Sequence, residues 1–434
     1  MKIAIAGYGV EGQANYEYWS SDISNEITIV DERAASEIAD LPEGVPVISG
    51  EGVFKQLDGF DVVVRTASLP PKNITTNGKV WSGTNEFFAK CPAPIIGVTG
   101  TKGKGTTASI IEALFAADGR KTWLVGNIGI AALTVLPQIQ PTDIVVYELS
   151  SFQLWDIQKS PHSAVVLMIE PDHLNVHDSM EDYVQAKAGI ARHQTVNDFL
   201  VYNPTNADSA RIAEQSKAGI KQRYAIADDG GVYVETGMFR TKERVICSTE
   251  TLQLRGDHNK ENACAAISIA LLHGMSNESI EQGLRNFKGL PHRLEHVRSL
   301  NGVDYFNDSF SSAPGATVAA VRSFEQPEIV IIGGIDKGAD FSQLITELTS
   351  RSNVKEVVLI GTMRSELYNK LNDAGLGAKS TVFDGQTMGE IVAYTQSRAV
   401  GGDVVILSPG CASFDMFKNF YDRGDQFRET VNAL

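Results

Sequence analysis

A glycine-rich segment at residues 97–107, GVTGTKGKGTT, constrains the fold of this chain more than any other part of its sequence. It follows a short apolar run at residues 95–96 and precedes a helical pattern over residues 108–117. In a strand–loop–helix unit of this kind, backbone N–H groups close around a polyphosphate at the N-terminus of the helix. Lys104 is placed to reach the terminal phosphates, and Thr106 or Thr107 can offer a hydroxyl to magnesium. The segment therefore predicts an ATP-binding loop.

The loop departs at one position from the common pattern G-x-x-x-x-G-K-[ST]. Gly105 stands where a hydroxyl residue is usual, which moves the predicted metal-binding hydroxyl to Thr106. The residues that we predict to bind ATP in this loop are Gly100, Thr101, Lys102, Gly103, Lys104, Gly105, Thr106 and Thr107.

Length and composition bound the class of protein. A chain of 434 residues exceeds one ordinary hydrophobic core, so two or three domains are expected. Its net charge of −15 argues against a general nucleic-acid binder, and its apolar runs are too short to span a bilayer. The four cysteines are scattered without a C-x-x-C pair, which favours neither zinc nor disulfides. We expect a cytoplasmic monomer that acts on small molecules, with no nucleic-acid or membrane partner.

Strand and helix patterns alternate along the chain, which predicts three α/β domains with mostly parallel sheets. Residues 1–94 form a Rossmann-like domain, and the proline-containing segment 90–94 reads as a linker. Residues 95–295 form a central P-loop ATPase-like domain with an added β-rich segment near 232–255, and residues 296–434 form a C-terminal Rossmann-like, doubly wound domain. The predicted strands are 2–6, 26–30, 61–64, 95–98, 122–125, 143–147, 164–169, 199–202, 303–306, 328–332, 354–360, 381–383 and 403–407.

The N-terminal domain carries a second glycine motif, with Gly7, Gly9 and Gly12 before a helix and Asp31 at the end of the next strand. This spacing satisfies the dinucleotide fingerprint. The fingerprint specifies a diphosphate over a helix N-terminus, so it fits NAD or a nucleotide-sugar diphosphate equally well.

Ligands of open parallel sheets bind beyond the carboxyl ends of the strands. In the central domain this rule selects Glu148 as a magnesium ligand, His173 as a further metal-facing residue, and Asn127 as a donor to a phosphate or sugar. Asn259 is expected to cap a helix. In the C-terminal domain, polar loops at residues 306–309, 333–338 and 408–413 predict a pocket at one sheet edge.

Together these segments resemble the Mur ligases of peptidoglycan synthesis over essentially the whole chain. The motifs that carry the resemblance are GVTGTKGKGTT, YELSSFQL (147–154), PDHL (171–174), HNKEN (258–262), GLPHRLE (289–295), FNDS (306–309) and SPGCASFDMFKNFYDRGDQF (408–427). The last motif is typical of the branch that adds D-glutamate.

The resemblance implies an ATP-dependent amide ligase that joins D-glutamate to the L-alanyl carboxylate of UDP-N-acetylmuramoyl-L-alanine through an acyl phosphate. It implies catalytic roles for Lys104, His173 and Lys187, and two magnesium ions. Lys187 matches a lysine that the family carbamylates, whereas composition alone would make it a solvated helix residue. The implied metal ligands are Thr106, Glu148, His173 and the Lys187 carbamate.

The resemblance also assigns the substrate contacts. The implied ATP contacts outside the loop are Asn259, Asn262, Arg293 and Asp308. The implied contacts of the UDP substrate are Gly7, Gly9, Gly12, Asp31, Arg33, Ser68, Asn127 and His173. The implied contacts of D-glutamate are Ser312, Lys337, Ser413 and Phe420.

The sequence departs from the family pattern in the amino-acid pocket, where Phe310 replaces a lysine and Ser312 a threonine. A second departure follows PDHL, where Asn175 and Val176 replace an acid and an arginine. The alternatives are another amino-acid-adding Mur ligase or a folylpolyglutamate synthetase, although folate enzymes begin near their P-loop. An NAD-dependent oxidoreductase is a further alternative, which leaves Lys104, Glu148 and the C-terminal pocket unexplained. Another is a catalytically silent nucleotide-binding regulator, against which the intact set of Lys104, Glu148, His173 and Lys187 argues.

Overall fold

The computed structural model describes residues 1–227, 230–335 and 338–434. The chain divides into two compact units. The first comprises Met1–Gln253 and Asp257–Phe287, and the second comprises Leu254–Gly256 and Lys288–Leu434. The predicted α/β class with mostly parallel sheets is confirmed. No helix in these described ranges is long and apolar enough to cross a membrane.

A five-stranded parallel sheet opens the first unit. Its central strands are rich in valine, isoleucine and alanine and are buried, which suits a sheet covered on both faces. The elements are β1 (Lys2–Ala6), α1 (Val10–Ser20), β2 (Glu26–Asp31), β3 (Val47–Ser49), β4 (Val62–Arg65), β5 (Lys79–Ser82) and α2 (Gly83–Lys90). The strand order is β3-β2-β1-β4-β5. β3 and β5 were not predicted, because they are only three and four residues long and their burial is partial.

A six-stranded parallel sheet forms the rest of the first unit, with a small antiparallel sheet of three strands. The strands are β6 (Ile95–Thr99), β7 (Thr122–Gly126), β8 (Ile144–Glu148), β9 (Ser163–Val166), β10 (Phe199–Tyr202), β11 (Ile220–Arg223), β12 (Tyr233–Glu235), β13 (Met238–Arg240) and β14 (Val245–Ser248). The helices are α3 (Lys104–Ala117), α4 (Ala132–Val135), α5 (Ser151–Leu154), α6 (Met180–Arg192), α7 (Ala207–Gln215), α8 (Asp257–Leu272) and α9 (Asn277–Asn286). The large sheet has the order β11-β10-β9-β6-β8-β7, and β12–β14 confirm the predicted β-rich segment.

One hydrophobic core joins the two large sheets of the first unit. Phe87 and Phe88 of α2 pack on Tyr147 of β8, with ring centroids 5.4 and 5.5 Å apart. Arg65, at the end of β4, is fully buried and donates from Nε to Asp156 Oδ2 at 2.9 Å. This shared core explains why the parts predicted as residues 1–94 and 95–295 appear within one compact unit.

The second unit is a six-stranded sheet in which only the edge strand β15 runs antiparallel. The elements are β15 (Glu295–Leu300), β16 (Val303–Asn307), α10 (Pro314–Val321), β17 (Glu328–Gly333), α11 (Ser342–Ser350), β18 (Val354–Ile360), α12 (Arg364–Asp373), β19 (Ser380–Val382), α13 (Met388–Arg398), β20 (Val404–Leu407) and α14 (Phe420–Ala433). The order is β15-β16-β20-β17-β18-β19. The domain boundary predicted after residue 295 therefore falls inside β15. This strand was not predicted, because its sequence EHVRSL is mostly polar. The division into three domains stays a prediction.

Candidate active site

The loop between β6 and α3 has the backbone conformation that its glycines predict. Gly100 and Gly103 have φ angles of +152° and +82°, in the region that favours glycine. A Cβ at Gly100 would lie 2.7 Å from Leu167 Cβ, and one at Gly103 would lie 2.4 Å from Asn262 Oδ1. The loop thus ends at the N-terminus of α3, where backbone N–H groups bind anions.

The side chains of this loop are arranged around its turn. Lys104, the first residue of α3, donates from Nζ to the carbonyl oxygen of Thr101 at 3.0 Å. Lys102 is largely exposed and pairs with Glu170 at 3.0 Å. Thr106 is half-buried in the first turn of α3 and Gly105 is buried. All eight residues predicted from 100 to 107 to bind ATP lie in this loop and helix start, and their contact with ATP stays a prediction.

Residues 167–169 run beside this loop, although they were predicted as strand. β9 ends at Val166, and the backbone then binds the loop: Leu167 N–H donates to Thr99 O and Thr101 N–H donates to Met168 O, each at 2.9 Å. The chain segment that leads to His173 therefore holds the loop of residues 100–103 between β6 and α3, which we call the phosphate-type loop.

Glu148 is the last residue of β8 and lies at the carboxyl edge of the sheet, opposite Val98 of β6. Its side chain is buried, and Oε1 accepts from Asn127 Nδ2 at 3.2 Å. Oε2 is buried and has no hydrogen-bond partner among the described residues. A buried carboxylate oxygen without a partner is costly, and a cation removes that cost. Glu148 therefore fits the predicted magnesium ligand.

Lys187 lies on α6 and is 1% exposed. Its Nζ donates to the carbonyl oxygen of Gly100 at 2.8 Å and lies 4.6 Å from the centroid of the Tyr183 ring. Burial, with the positive charge of Lys104 nearby, lowers the pKa of Lys187 well below its usual value. The prediction of a solvated lysine that composition alone favours is wrong, because α6 carries this residue into the site rather than onto the surface.

His173 follows β9 in a left-handed backbone conformation with φ of +53°. Its N–H donates to Asp172 Oδ1 at 2.9 Å, and its ring lies 4.9 Å from that of Phe152. The side chain is about half exposed. Within the described ranges, no three histidine, cysteine, aspartate or glutamate side chains are arranged to hold a metal ion. The predicted metal set contains only two such residues, His173 and Glu148.

A cavity of about 600 Å³ lies at the carboxyl edge of the N-terminal sheet. The predicted residues Gly7, Gly9, Asp31, Arg33 and Ser68 line it together. Gly12 lies behind it, where a Cβ would come 2.2 Å from the carbonyl oxygen of Gly7. The third glycine of the fingerprint is therefore required for the close approach of α1 to the loop.

Asp31 does not present a free carboxylate to this cavity. Its Oδ2 accepts from Tyr8 N and from Arg33 Nη2, both at 2.8 Å, and its Oδ1 accepts from Arg33 Nε at 2.9 Å. These hydrogen bonds, chiefly from the Arg33 side chain, lower the pKa of Asp31 to about 2. Asp31 acts here mainly to order the loop and to hold Arg33 at the cavity.

A second cavity of about 320 Å³ adjoins the first, and Val10 and Glu11 line both. Asn127 lines the second cavity with Gln153 and Tyr147, so it lies apart from the predicted UDP contacts that line the first, and His173 lines neither cavity. A long ligand can therefore extend from one cavity to the other across the N-terminus of α1. Sequence reasoning missed Glu11, whose position directly before Gly12 was the available signal.

In the second unit, Asp308 follows β16 and is buried. It accepts hydrogen bonds from Ser311 Oγ at 2.6 Å, Ser408 Oγ at 2.7 Å and Leu294 N at 3.1 Å. Burial raises its pKa to about 6. Its carboxylate joins loops of the second unit, and its predicted contact with ATP stays a prediction.

Aromatic side chains dominate the region predicted to bind the amino acid. The guanidinium of Arg293 lies 3.7 Å from the centroid of the Phe310 ring, which meets Phe420 edge-on at 5.0 Å. Ser413 is buried and Ser312 is exposed. Lys337, the fourth predicted contact of the amino acid, lies outside the described residues.

Arg423 is a structural residue that sequence reasoning missed. It is fully buried and donates from Nε to Ser309 Oγ and from Nη2 to Ser309 O, both at 2.9 Å. Nη1 donates to Cys411 O at 3.2 Å, and burial lowers the pKa of Arg423 to about 10. Arg423 thus ties together the loops after β16 and β20.

The predicted capping role of Asn259 is wrong. α8 begins at Asp257, so Asn259 lies within its first turn and accepts from Asn262 Nδ2 at 3.3 Å. The helix starts earlier than predicted, because Asp257 is tolerated at a helix N-terminus. Asn262 nonetheless faces the phosphate-type loop through its contact with Gly103.

Comparison with known proteins identifies the family. The Mur ligase middle domain matches residues 98–270, and the Mur ligase glutamate ligase domain matches residues 292–411. The chain is 33% identical over 447 residues to UDP-N-acetylmuramoylalanine–D-glutamate ligase of Clostridium perfringens, which covers all of this chain and 96% of that protein. The chain belongs to the Mur ligase family.

A relative of the same name from Acetivibrio thermocellus is 38% identical over 400 residues, covering 89% of this Mur ligase and 85% of the relative. UDP-N-acetylmuramate-alanine ligase MurC of Thermotoga maritima shares the fold, with a TM-score of 0.62 at 16% identity, covering all of this chain and 99% of that one. This Mur ligase is therefore an enzyme of the ligase class. The alternative of an oxidoreductase is wrong, because the relatives match the fingerprint domain and the ligase domains in one alignment.

Proposed function

We propose that this Mur ligase joins D-glutamate to the L-alanyl carboxylate of UDP-N-acetylmuramoyl-L-alanine at the expense of ATP. The observation that carries the proposal is the match, over the whole chain, to ligases named for that reaction. The geometry supports it, since the first unit combines a phosphate-type loop with two adjoining cavities for a long nucleotide ligand.

The reaction proceeds in two balanced steps. A carboxylate oxygen of the alanyl group attacks the γ-phosphorus of ATP, the bond to the bridging oxygen breaks, and ADP leaves. The amine of D-glutamate then attacks the carbonyl carbon of the acyl phosphate, inorganic phosphate leaves, and the amine loses a proton. Positioning and charge neutralisation supply most of the catalysis in such phosphoryl transfers.

The chain supplies these effects from the edge of the central sheet. The backbone of residues 100–103 and the N-terminus of α3 hold phosphate oxygens, and Lys104 neutralises their charge. Thr106 and Glu148 would hold a magnesium ion, and the partnerless Oε2 of Glu148 is the observation that fits one. Bound magnesium would neutralise charge on the transferring phosphoryl group. His173, about half exposed at the end of its strained turn, is the proposed ligand of a second ion.

Lys187 is suited to carbamylation. Burial lowers the pKa of its amino group and so favours the uncharged amine, the form that attacks CO2 to give a carbamate and release a proton. A carbamate gives the Lys187 side chain a negative charge, which places charge of the correct sign beside a cation site. The 2.8 Å contact with Gly100 O sets this group against the phosphate-type loop.

The two cavities of the first unit accommodate different parts of the UDP substrate. Residues Gly7, Gly9, Asp31, Arg33 and Ser68 surround the larger cavity, which we assign to the nucleoside and diphosphate. Asn127 lines the smaller cavity, which is placed for the muramoyl group.

The amino-acid contacts are Ser413, Phe420, Ser312 and Lys337. Because Phe310 stands where the family pattern has a lysine, this region has one positive charge fewer. The guanidinium of Arg293 lies over the Phe310 ring. In this proposal the enzyme is a monomer that acts on small molecules. It acts in the cytoplasm, where its substrate ATP is available.

The proposal is tested by phosphate release from the purified protein with ATP, Mg²⁺, UDP-N-acetylmuramoyl-L-alanine and a panel of amino acids that includes D-glutamate, L-glutamate and D-aspartate. Phosphate release that depends on both D-glutamate and the UDP substrate supports the proposal. Release with another amino acid alone would overturn the D-glutamate assignment and keep the ligase reaction. Release that requires a folate would overturn both.

A further inference from the structure

His177 lies deep in the first unit and is absent from every assignment made above. Its side chain is fully buried, and both ring nitrogens are hydrogen-bonded. Nδ1 lies 2.9 Å from Asp182 Oδ2, and Nε2 lies 3.0 Å from Ser151 Oγ. Because a carboxylate only accepts, Nδ1–H donates to Asp182 and Nε2 accepts the Ser151 hydroxyl proton.

These two hydrogen bonds connect the elements that carry the proposed catalytic groups. Ser151 begins α5, three residues after Glu148. Asp182 lies in the first turn of α6, the helix that carries Lys187. The imidazole therefore bridges the β8–α5 turn and α6, and fixes the orientation of its own ring.

The Phe152 ring contacts the rings of both His177 and His173. The Phe152 ring stacks on His177 with centroids 5.5 Å apart and planes 10° from parallel. Phe152 also contacts the His173 ring at 4.9 Å. The backbone closes the arrangement, since His177 N–H donates to His173 O at 3.0 Å. Phe152 thus lies against both histidines.

We propose that His177 is a positioning residue that orients His173 through Phe152 and is itself held by Ser151 and Asp182. His177 does not act on the substrate, because it has no exposed surface. The catalytic consequence of this inference rests on the proposed function, in which His173 acts at the reacting groups. Its structural consequence, the orientation of the His173 ring, does not depend on the identity of the substrate.

The kinetic test uses Ser151→Ala and Asp182→Ala, each of which removes one hydrogen bond of the His177 ring and leaves the imidazole in place. We expect kcat to fall about tenfold in each variant, with KM for ATP and the amino acid changed less than about threefold. In a His173→Ala background, neither substitution should lower kcat further. An equal fold-loss in both backgrounds would overturn the proposal, because a general structural defect acts with or without His173.

His273→Gln is the matched control. His273 is a partly buried histidine that contacts aromatic rings and a serine, with Nε2 2.8 Å from Ser163 Oγ. Ser163 begins β9, at the opposite end of the central sheet from His173. His273→Gln should leave kcat unchanged, and a loss equal to that of Ser151→Ala would contradict the proposal. Circular dichroism checks that each variant is folded.

A second readout needs no turnover. The imidazole NMR signals of His173, assigned by their loss in His173→Ala, should shift in Ser151→Ala and Asp182→Ala and stay in place in His273→Gln. Unchanged His173 signals in the first two variants would overturn the inference. If the wild-type protein fails to use D-glutamate, the proposed function fails while this measurement still decides the role of His177.

Discussion

The amino group of Lys187 lies 2.8 Å from the carbonyl oxygen of Gly100, so the buried lysine of α6 touches the phosphate-type loop directly. Two features that are 87 residues apart in the sequence thereby form one site. Burial disfavours the charged form of Lys187, and the contact provides a hydrogen-bond acceptor for its amino group.

Replacing Lys187 by alanine tests this relationship. We expect Lys187→Ala to lose activity by about 100-fold or more, because the proposed carbamate beside the proposed cation site can no longer form. Acetate or another small carboxylate should restore part of the activity by entering the vacated space. Steady-state phosphate release with increasing acetate measures the rescue. A matched control is Lys221→Ala, since Lys221 lies on the edge strand β11 and its Nζ donates to Ala213 O of α7. Lys221→Ala should keep its activity and show no response to acetate. If acetate restores no activity to Lys187→Ala, the carbamate role is contradicted.

Thr106→Ala tests the shifted hydroxyl of the phosphate-type loop. We expect kcat to fall about 30-fold or more, and the Mg²⁺ concentration for half-maximal rate to rise, because the hydroxyl proposed to bind the metal is removed. Ser109→Ala is the control on the same helix, where a buried hydroxyl has no partner among the described residues. A Thr106→Ala enzyme with an unchanged Mg²⁺ dependence would show that this hydroxyl does not serve the metal.

Gly12→Ala tests the assignment of the larger cavity. The added Cβ would lie 2.2 Å from Gly7 O, so the loop over the cavity must move. We expect KM for the UDP substrate to rise at least about tenfold while KM for ATP stays within about twofold, because only the first loop is displaced. Gly389→Ala on α13 is the comparison variant, since a Cβ there meets nothing closer than Thr387 Oγ1 at 3.9 Å, and it should change neither KM value. Equal increases in both KM values in Gly12→Ala would contradict the assignment.

Glu328 gives a prediction for stability that is independent of the site. It is fully buried at the start of β17, 3.2 Å from Arg351 Nε, and burial raises its pKa to about 7. Because the folded protein keeps a proton that the unfolded chain releases above its ordinary pKa, this group lowers stability as pH rises toward 7. Glu328→Gln should therefore gain thermal stability relative to the wild type as pH increases from about 4.5 to 7. Thermal unfolding across that range measures the difference, and a constant difference would contradict the raised pKa.

Local sequence patterns predicted those parts of the structure that depend on residues close together in the chain. Gly100, Gly103 and Gly12 were predicted because their turns need glycine, and the buried valine and isoleucine runs located most central strands. Contacts between distant segments left no such pattern. Ser309 and Arg423 are 114 residues apart, and no local sequence pattern near either residue predicts their hydrogen bonds. β15 was missed for a related reason, since its polar sequence becomes a strand only by pairing with β16.

The most direct test of the proposed reaction follows an oxygen atom. UDP-N-acetylmuramoyl-L-alanine labelled with ¹⁸O in its alanyl carboxylate is incubated with ATP, Mg²⁺ and D-glutamate, and mass spectrometry measures both products. We predict that one ¹⁸O atom appears in inorganic phosphate and that the UDP product gains one glutamyl residue. Phosphate without ¹⁸O, or a UDP product without glutamate, would contradict the reaction proposed for this chain.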